Sequence, residues 1–318
     1  MLHIGIIGCG GMGTHHAKVI SEMHDLALVG VADSIKEKAD QVAGELFTTA
    51  FEDYRDLISC VDAVMICTPP FERTQIVIDC AQAGVHIFVE KPIALDLESA
   101  DRMLEAAEKA DVIFMIGYVL RFTHPFQILH ETFAKGKLGR LVNCWTRRYM
   151  PYDTSDRWYG DQSKSGGVEL DFASHDIDWL RWVGGEVRQV CGRVDRVRPG
   201  IQADEHVHAV MLFDKGMGSV DASWAPGLSD SSIGILGTKG SMIVDRDGTI
   251  RQKIGEEEET VIRPRKGETI QKHFVRCATQ KRTPKVTGYD GRAALEIVLA
   301  IEESSMAGHS VEVEHKSK

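Results

Sequence analysis

Three groups of residues combine types and spacings that can do chemistry. Lys91 lies in Glu90-Lys91-Pro92, just past the apolar run 85–89. At the carboxyl end of a buried strand, an ammonium can donate to a substrate hydroxyl and favour its alkoxide. Pro92 stiffens the backbone beside it, with a cis peptide among its options. Asp171 and His175 stand four residues apart in GGVELDFASHDIDWLRW, a spacing that sets both on one face of a helix. An imidazole, with an ordinary pKa near ~6.5, suits taking a proton from an alcohol and returning it. Asp171 then orients the ring or holds a neighbouring hydroxyl, with Asp178 behind it. The third group is Arg121 with Tyr118 and His124, followed by Tyr152, Arg157 and Trp158. Planar donors and aromatic faces suit a ligand that is hydroxylated on its rim and apolar on its ring faces. The same residues can equally stitch a seam between domains, as Lys91 can be a surface lysine and the Asp171/His175 pair a local ion pair.

The elements that position these groups begin at the N-terminus. Residues 2–20 read LHIGIIGCGGMGTHHAKVI, an apolar run, a glycine cluster and a segment with helical spacing. Gly8, Gly10 and Gly13 form G-x-G-x-x-G where a strand hands over to a helix: one glycine for the turn, one for close approach of a pyrophosphate, one for helix packing. The free N–H groups of the new helix face the phosphates. Asp33 follows the apolar run 26–32 and stands where a carboxylate accepts from an adenosine ribose. His15 and His16 lie close to this turn.

Strands at 61–67, 85–89 and 112–117 alternate with helices at 35–43, 71–83 and 96–110, and a further short helix ends near 58. The alternation predicts a mostly parallel sheet covered on both faces. Pro69 and Pro70 stop one strand and set a rigid loop at its carboxyl end. Beyond residue 120 the period changes: strands at 141–148, 187–194, 206–213, 218–224, 232–236 and 241–244, one helix at 168–182, a hairpin over 251–268, and helices at 270–279 and 291–306. The expected fold is α/β, a Rossmann-type parallel sheet over residues 1–120, followed over 121–318 by an α+β substrate-binding domain with a large, mostly antiparallel sheet whose open face could also serve as an oligomerisation surface. The chemistry then requires the two halves to close over one cleft.

The 318 residues suffice for two domains, and 43% hydrophobic residues suffice to fill them. A formal net charge of -10 argues against nucleic acid or anionic membrane as partners. The seven cysteines show no C-x-x-C pair, which fits a reducing compartment. No apolar run reaches the ~20 residues of a membrane span, so a soluble, cytoplasmic protein is expected. His206 and His208 would share one face of a strand, but no third ligand stands near, so no metal is expected.

The motifs resemble those of the Gfo/Idh/MocA oxidoreductases: GCGGMG at 8–13, TPP at 68–70, EKP at 90–92, LRFTHPF at 120–126, SGGVELDFASHDID at 165–178 and, later, TGYDGR at 287–292. The likeness runs over nearly the whole chain, and EKP followed by D-x-x-x-H is its most specific part. It implies catalytic roles for Lys91, Asp171 and His175, and a cofactor site made of Gly8, Gly10, Gly11, Met12, Gly13, Asp33, Thr68, Pro69, Glu90 and Lys91. Two glycines, Gly166 and Gly167, stand where many relatives have three. The implied reaction is NAD-dependent oxidation of a secondary hydroxyl on a cyclic polyol or sugar, such as an inositol, an aldose or a nucleotide-sugar, by a homo-oligomer, a dimer or tetramer. Asp33 disfavours the 2′-phosphate of NADP by like charge, softened by Lys36 and Lys38. The alternatives are an NADP-dependent reductase of a small carbonyl or sugar, and a non-catalytic dinucleotide-binding sensor.

Overall fold

A computed structural model describes residues 1–155, 158–263 and 267–314. The chain divides into two compact units, Met1–Gly117 with Glu268–Arg292, and Tyr118–Gly267 with Ala293–Lys318. The first unit therefore takes in a late segment that a single cut near residue 120 leaves in the second.

Among the described residues the first unit holds six parallel strands: β1 (Leu2–Ile7), β2 (Leu26–Ala32), β3 (Thr49–Phe51), β4 (Ala63–Ile66), β5 (His86–Val89) and β6 (Phe114–Ile116). Their spatial order is β3-β2-β1-β4-β5-β6. Ala63, Val64, Met65 and Ile66 are all buried, as an apolar strand covered on both faces requires. The helices between them are α1 (Gly11–Ser21), α2 (Lys36–Leu46), α3 (Tyr54–Ile58), α4 (Arg73–Gln82) and α5 (Leu97–Lys109). Asp96 caps α5 by accepting from Ser99 N at 2.7 Å, and Ala100, Met103, Leu104 and Ala107 form its buried stripe. Because the strand order reverses between β1 and β4, the loops after β1, β4 and β5 share the edge where open parallel sheets bind ligands.

The second unit opens with α6 (His124–Ala134), which the sequence reading passed over, then β7 (Leu141–Tyr149), α7 (Gln162–Ser165), α8 (Gly167–Asp171) and α9 (Ser174–Gly184). There follow β8 (Val187–Asp195), β9 (His206–Phe213), β10 (Met217–Ser223), β11 (Asp230–Gly237), β12 (Gly240–Val244), β13 (Ile250–Ile254) and β14 (Thr260–Ile262). The helix α10 (Ile270–Gln280) belongs to the first unit, α11 (Gly288–Ala307) starts in the first and ends in the second, and β15 (Val311–Glu312) closes the described chain. These nine described strands form one sheet, β14-β13-β12-β11-β7-β10-β9-β8-β15. Only β7 and β10 pair in parallel; the other described pairs are antiparallel. Along β9, Val207, Ala209, Met211 and Phe213 are buried, whereas His208, Val210 and Leu212 are exposed, the period-2 signature of a sheet covered on one face. Helix α9 packs on β7 and β10, and the Ser304 hydroxyl of α11 accepts from Gly192 N of β8 at 3.1 Å.

The single helix expected over 168–182 is two. The Val168 carbonyl accepts from both Phe172 N (3.0 Å) and Ala173 N (2.8 Å), so the hydrogen-bond ladder slips and restarts at Ser174. Tertiary packing drives the slip: Phe172 is buried beneath the Arg148 guanidinium, 4.3 Å from the ring centroid, and Arg148 also pairs with buried Asp176 at 2.9 Å. All seven cysteines are free thiols, and no described helix is long and apolar enough to cross a membrane.

Candidate active site

The glycine turn is built as its spacing requires. Gly8 adopts φ +94, and a Cβ there would lie 2.9 Å from the Cys67 carbonyl carbon. A Cβ on Gly13 would sit 1.7 Å from the Gly8 carbonyl oxygen, so α1 can start this close to β1 only with glycine at that position. By contrast, Cβ positions at Gly10 and Gly11 meet nothing within 4 Å. These two, with exposed Met12, leave open room at the first N–H groups of an 11-residue helix. Asp33 braces the turn: Oδ2 accepts from Cys9 N at 2.8 Å and Oδ1 from Ile35 N at 2.9 Å. Burial, with the charge of Asp33, pushes the Cys9 thiol up to about 12, so it stays neutral in the turn. Past β4, the Thr68 Oγ1 is buried without a hydrogen-bond partner among the described residues, next to half-buried Pro69. A turn open at its centre, braced on a ribose-type carboxylate and followed by an unsatisfied hydroxyl, fits a dinucleotide.

Past β5, the Lys91–Pro92 peptide is cis, and Lys91 is half-buried. Its N–H donates to Glu90 Oε2 at 3.2 Å. Glu90 is buried on a chain of partners: its Oε1 meets His16 Nε2 at 2.8 Å, and His16 Nδ1 meets Gln271 Nε2 at 3.0 Å. Gly117 leaves room for that carboxylate, since a Cβ there would come within 2.9 Å of Oε2. Burial would raise the Glu90 carboxyl, but the His16 hydrogen bond, with the charges of His16, Lys91 and Arg73, holds it below the usual range. Arg73, missed in the sequence reading, donates to the carbonyls of Thr68, Glu90 and Pro92. The signal for it was a cation at the first residue of a helix, where the dipole disfavours positive charge. Gln271, 255 residues from His16, left none.

In the second unit, Tyr118 is fully buried with its ring 5.8 Å from that of His175, edge to face. His175 stands in the first turn of α9 and Asp171 ends α8, so the two flank the break rather than share an unbroken helix. Gly166 and Gly167, both at φ +68, make the sharp entry to α8, and Ser165 Oγ accepts from Gly167 N at 3.1 Å. Arg121 is gripped by Asp178 in a bidentate pair, Nε to Oδ2 at 2.8 Å and Nη2 to Oδ1 at 2.6 Å. It also lies over Trp182, which stacks on His130 with centroids 3.5 Å apart. The Asp178 carboxylate is thus engaged by Arg121. Tyr152 and Trp158 belong to an aromatic cluster: Trp158 stacks on Tyr159 at 3.9 Å, and Tyr152 meets Tyr159 edge-on at 5.8 Å. Arg198, bound to buried Glu205 through Nε at 2.6 Å, holds this loop by donating to the Tyr152 carbonyl at 2.7 Å. Arg157 lies outside the described residues. His206 and His208 lie 3.9 and 3.6 Å from Asp221, but among the described residues no group of three His, Cys, Asp or Glu side chains is placed to hold a metal ion.

Two residues before Asp171, Glu169 is fully buried and accepts from Gln162 Nε2 at 2.9 Å. Burial, reinforced by the charge of Glu302, pushes its carboxyl well up, and burial pushes Glu302 up to about 7. A carboxyl raised on folding penalises the folded state once it must ionise, so stability is lost as pH rises from 4.5 through about 7. Glu302→Gln should match the wild type near the lower limit and exceed it by about 2–4 °C in Tm above the upper one. Thermal unfolding across that range checks this; a difference that does not grow with pH would contradict it.

A glycine-turn dinucleotide domain joined to a large mixed sheet that carries a His–Asp segment is the build of an NAD-linked oxidoreductase. Residues 2–118 match the family model described as oxidoreductase family, NAD-binding Rossmann fold, and residues 126–243 match the GFO/IDH/MocA C-terminal domain. The chain belongs to the GFO/IDH/MocA oxidoreductase family, and NAD is its cofactor. It is 29% identical to a myo-inositol 2-dehydrogenase of Thermotoga maritima, over 98% of this chain and 99% of that one. It is 28% identical to a scyllo-inositol 2-dehydrogenase (NAD(+)) of Bacillus subtilis, over 98% and 96%. Its fold matches levoglucosan dehydrogenase in complex with NADH and levoglucosan with a TM-score of 0.90, at 23% identity, over 99% and 100% of the two chains.

Proposed function

We propose that the protein oxidises a secondary hydroxyl of a cyclic polyol or sugar. The observation that carries this reading is Lys91, held half-buried on the loop after β5 at the ligand-binding edge of the sheet, with its N–H bonded to Glu90 Oε2. NAD, when bound, supplies the hydride acceptor. The chain supplies the rest. His175 takes the hydroxyl proton, the Lys91 ammonium donates to the oxygen as negative charge develops on it, and Asp171 orients ring or substrate. Tyr118, packed edge-on against His175, limits its rotation. Tyr152 and Trp158 offer aromatic faces to the carbon side of the ring. Arg121, engaged by Asp178, supports α9. The substrate class is supported by the two inositol dehydrogenases to which the chain is similar end to end.

Reduction of NAD and of NADP, followed by absorbance over a panel of inositols, aldoses and nucleotide-sugars, tests the reading. Turnover of at least one cyclic polyol or sugar, with kcat/KM at least about tenfold higher for NAD, is expected from the like charge of Asp33 against a 2′-phosphate. Absence of turnover across the panel, or a tenfold preference for NADP, would overturn it.

A further inference from the structure

Arg73 is buried and takes no part in the chemistry above. Its guanidinium nevertheless spans both strand-end loops, donating through Nη2 to the Thr68 carbonyl and through Nη1 to the carbonyls of Glu90 and Pro92. A cation at the head of α4 opposes the helix dipole. What offsets it here is the set of converging carbonyl oxygens and the Glu90 carboxylate, on which its charge also acts. That carboxylate is fixed from the other side by His16 and, through it, Gln271. The clamp therefore closes on carbonyls to either side of Lys91, those of Glu90 and Pro92, while the glycine turn and Asp33 have their own brace.

Resting on the assignment of Lys91 to the reacting hydroxyl, we infer that Arg73 is a positioning residue, tying the loop after β4 to the loop after β5 and so fixing the backbone that carries Lys91. A lysine in its place keeps the charge but cannot fan donors to three carbonyls, and a methionine keeps only the bulk.

The test compares the wild type, Arg73→Lys and Arg73→Met by NADH fluorescence titration, steady-state kinetics and amide hydrogen exchange. Arg73→Met should bind NADH within about threefold of the wild type yet lose about 10²-fold in kcat with little change in KM, the size of effect expected when a reacting group is misplaced. Arg73→Lys should fall between, and it supplies the same readouts should the methionine variant not fold. Added guanidinium should return part of kcat to Arg73→Ala, which leaves room for it, and none to Lys91→Met. Exchange should quicken at residues 67–72 and 90–94 and stay unchanged at 8–13. An unchanged kcat, or unchanged exchange in the two loops, overturns the inference. So does uniformly faster exchange with kcat and NADH affinity falling together, which marks a general packing role. A wild type inactive on every polyol and sugar would instead defeat the hydroxyl-oxidation reading, and exchange in the two loops would still decide whether Arg73 couples them.

Discussion

Replacing Lys91 by methionine should lower kcat by about 10²- to 10⁴-fold, the usual contribution of a positioned proton donor, while NADH affinity changes little. The separation follows from how the first unit is built. The dinucleotide turn is held by Asp33 and by close packing of Gly8 against Gly13, contacts that do not involve the Lys91 side chain. The Lys91 backbone is fixed independently, by Glu90 Oε2 and by Arg73. Removing the ammonium therefore leaves the loop in place and deletes only the donor to the developing oxyanion. Rapid-mix and steady-state kinetics with NADH titration would check this; an unchanged kcat at saturating substrate would remove Lys91 from the chemistry.

Breaking the Arg121–Asp178 pair should cost about 3–5 kcal/mol of stability, because it leaves one buried charge without its counter-ion. Arg121 is 4% exposed and Asp178 is fully buried, and both guanidinium–carboxylate bonds are short. Asp178→Ala should show the full loss in denaturant unfolding. The double variant Arg121→Met with Asp178→Leu should recover most of it, since apolar groups of similar volume need no partner. A single-variant loss below about 1 kcal/mol, the range of exposed pairs, would contradict the assignment. His175 shares α9 with Asp178, so the single variant should also lower kcat.

What the sequence made legible was local. The glycine turn, the Asp33 that follows β2 and the loop carrying Lys91 depend on a few consecutive residues and a strand end, and the alternation of strands and helices marks which edge they share. The antiparallel character of the second sheet was legible from short strands and close turns. What depends on distant residues was not. Arg121 and Asp178 are 57 residues apart and His16 and Gln271 are 255 apart. The segment Glu268–Arg292 packs with the first unit although it follows most of the second. The break at Phe172 and Ala173 falls inside a segment of good helical periodicity; only the packing of Phe172 under Arg148 reveals why the ladder slips there. Local pattern fixes which element forms, while the partner across the fold decides where it breaks and which charges it buries.

The most direct test of hydroxyl oxidation follows the hydrogen itself. The wild-type protein is incubated with NAD and a panel of inositols and aldoses deuterated at their carbinol carbons, and the NADH formed is examined by mass spectrometry. The account predicts NADH carrying one deuterium, with a ketone as the other product. NADH that forms without deuterium, or a deuterated substrate that is consumed without any NADH appearing at any stage of the reaction, would contradict it.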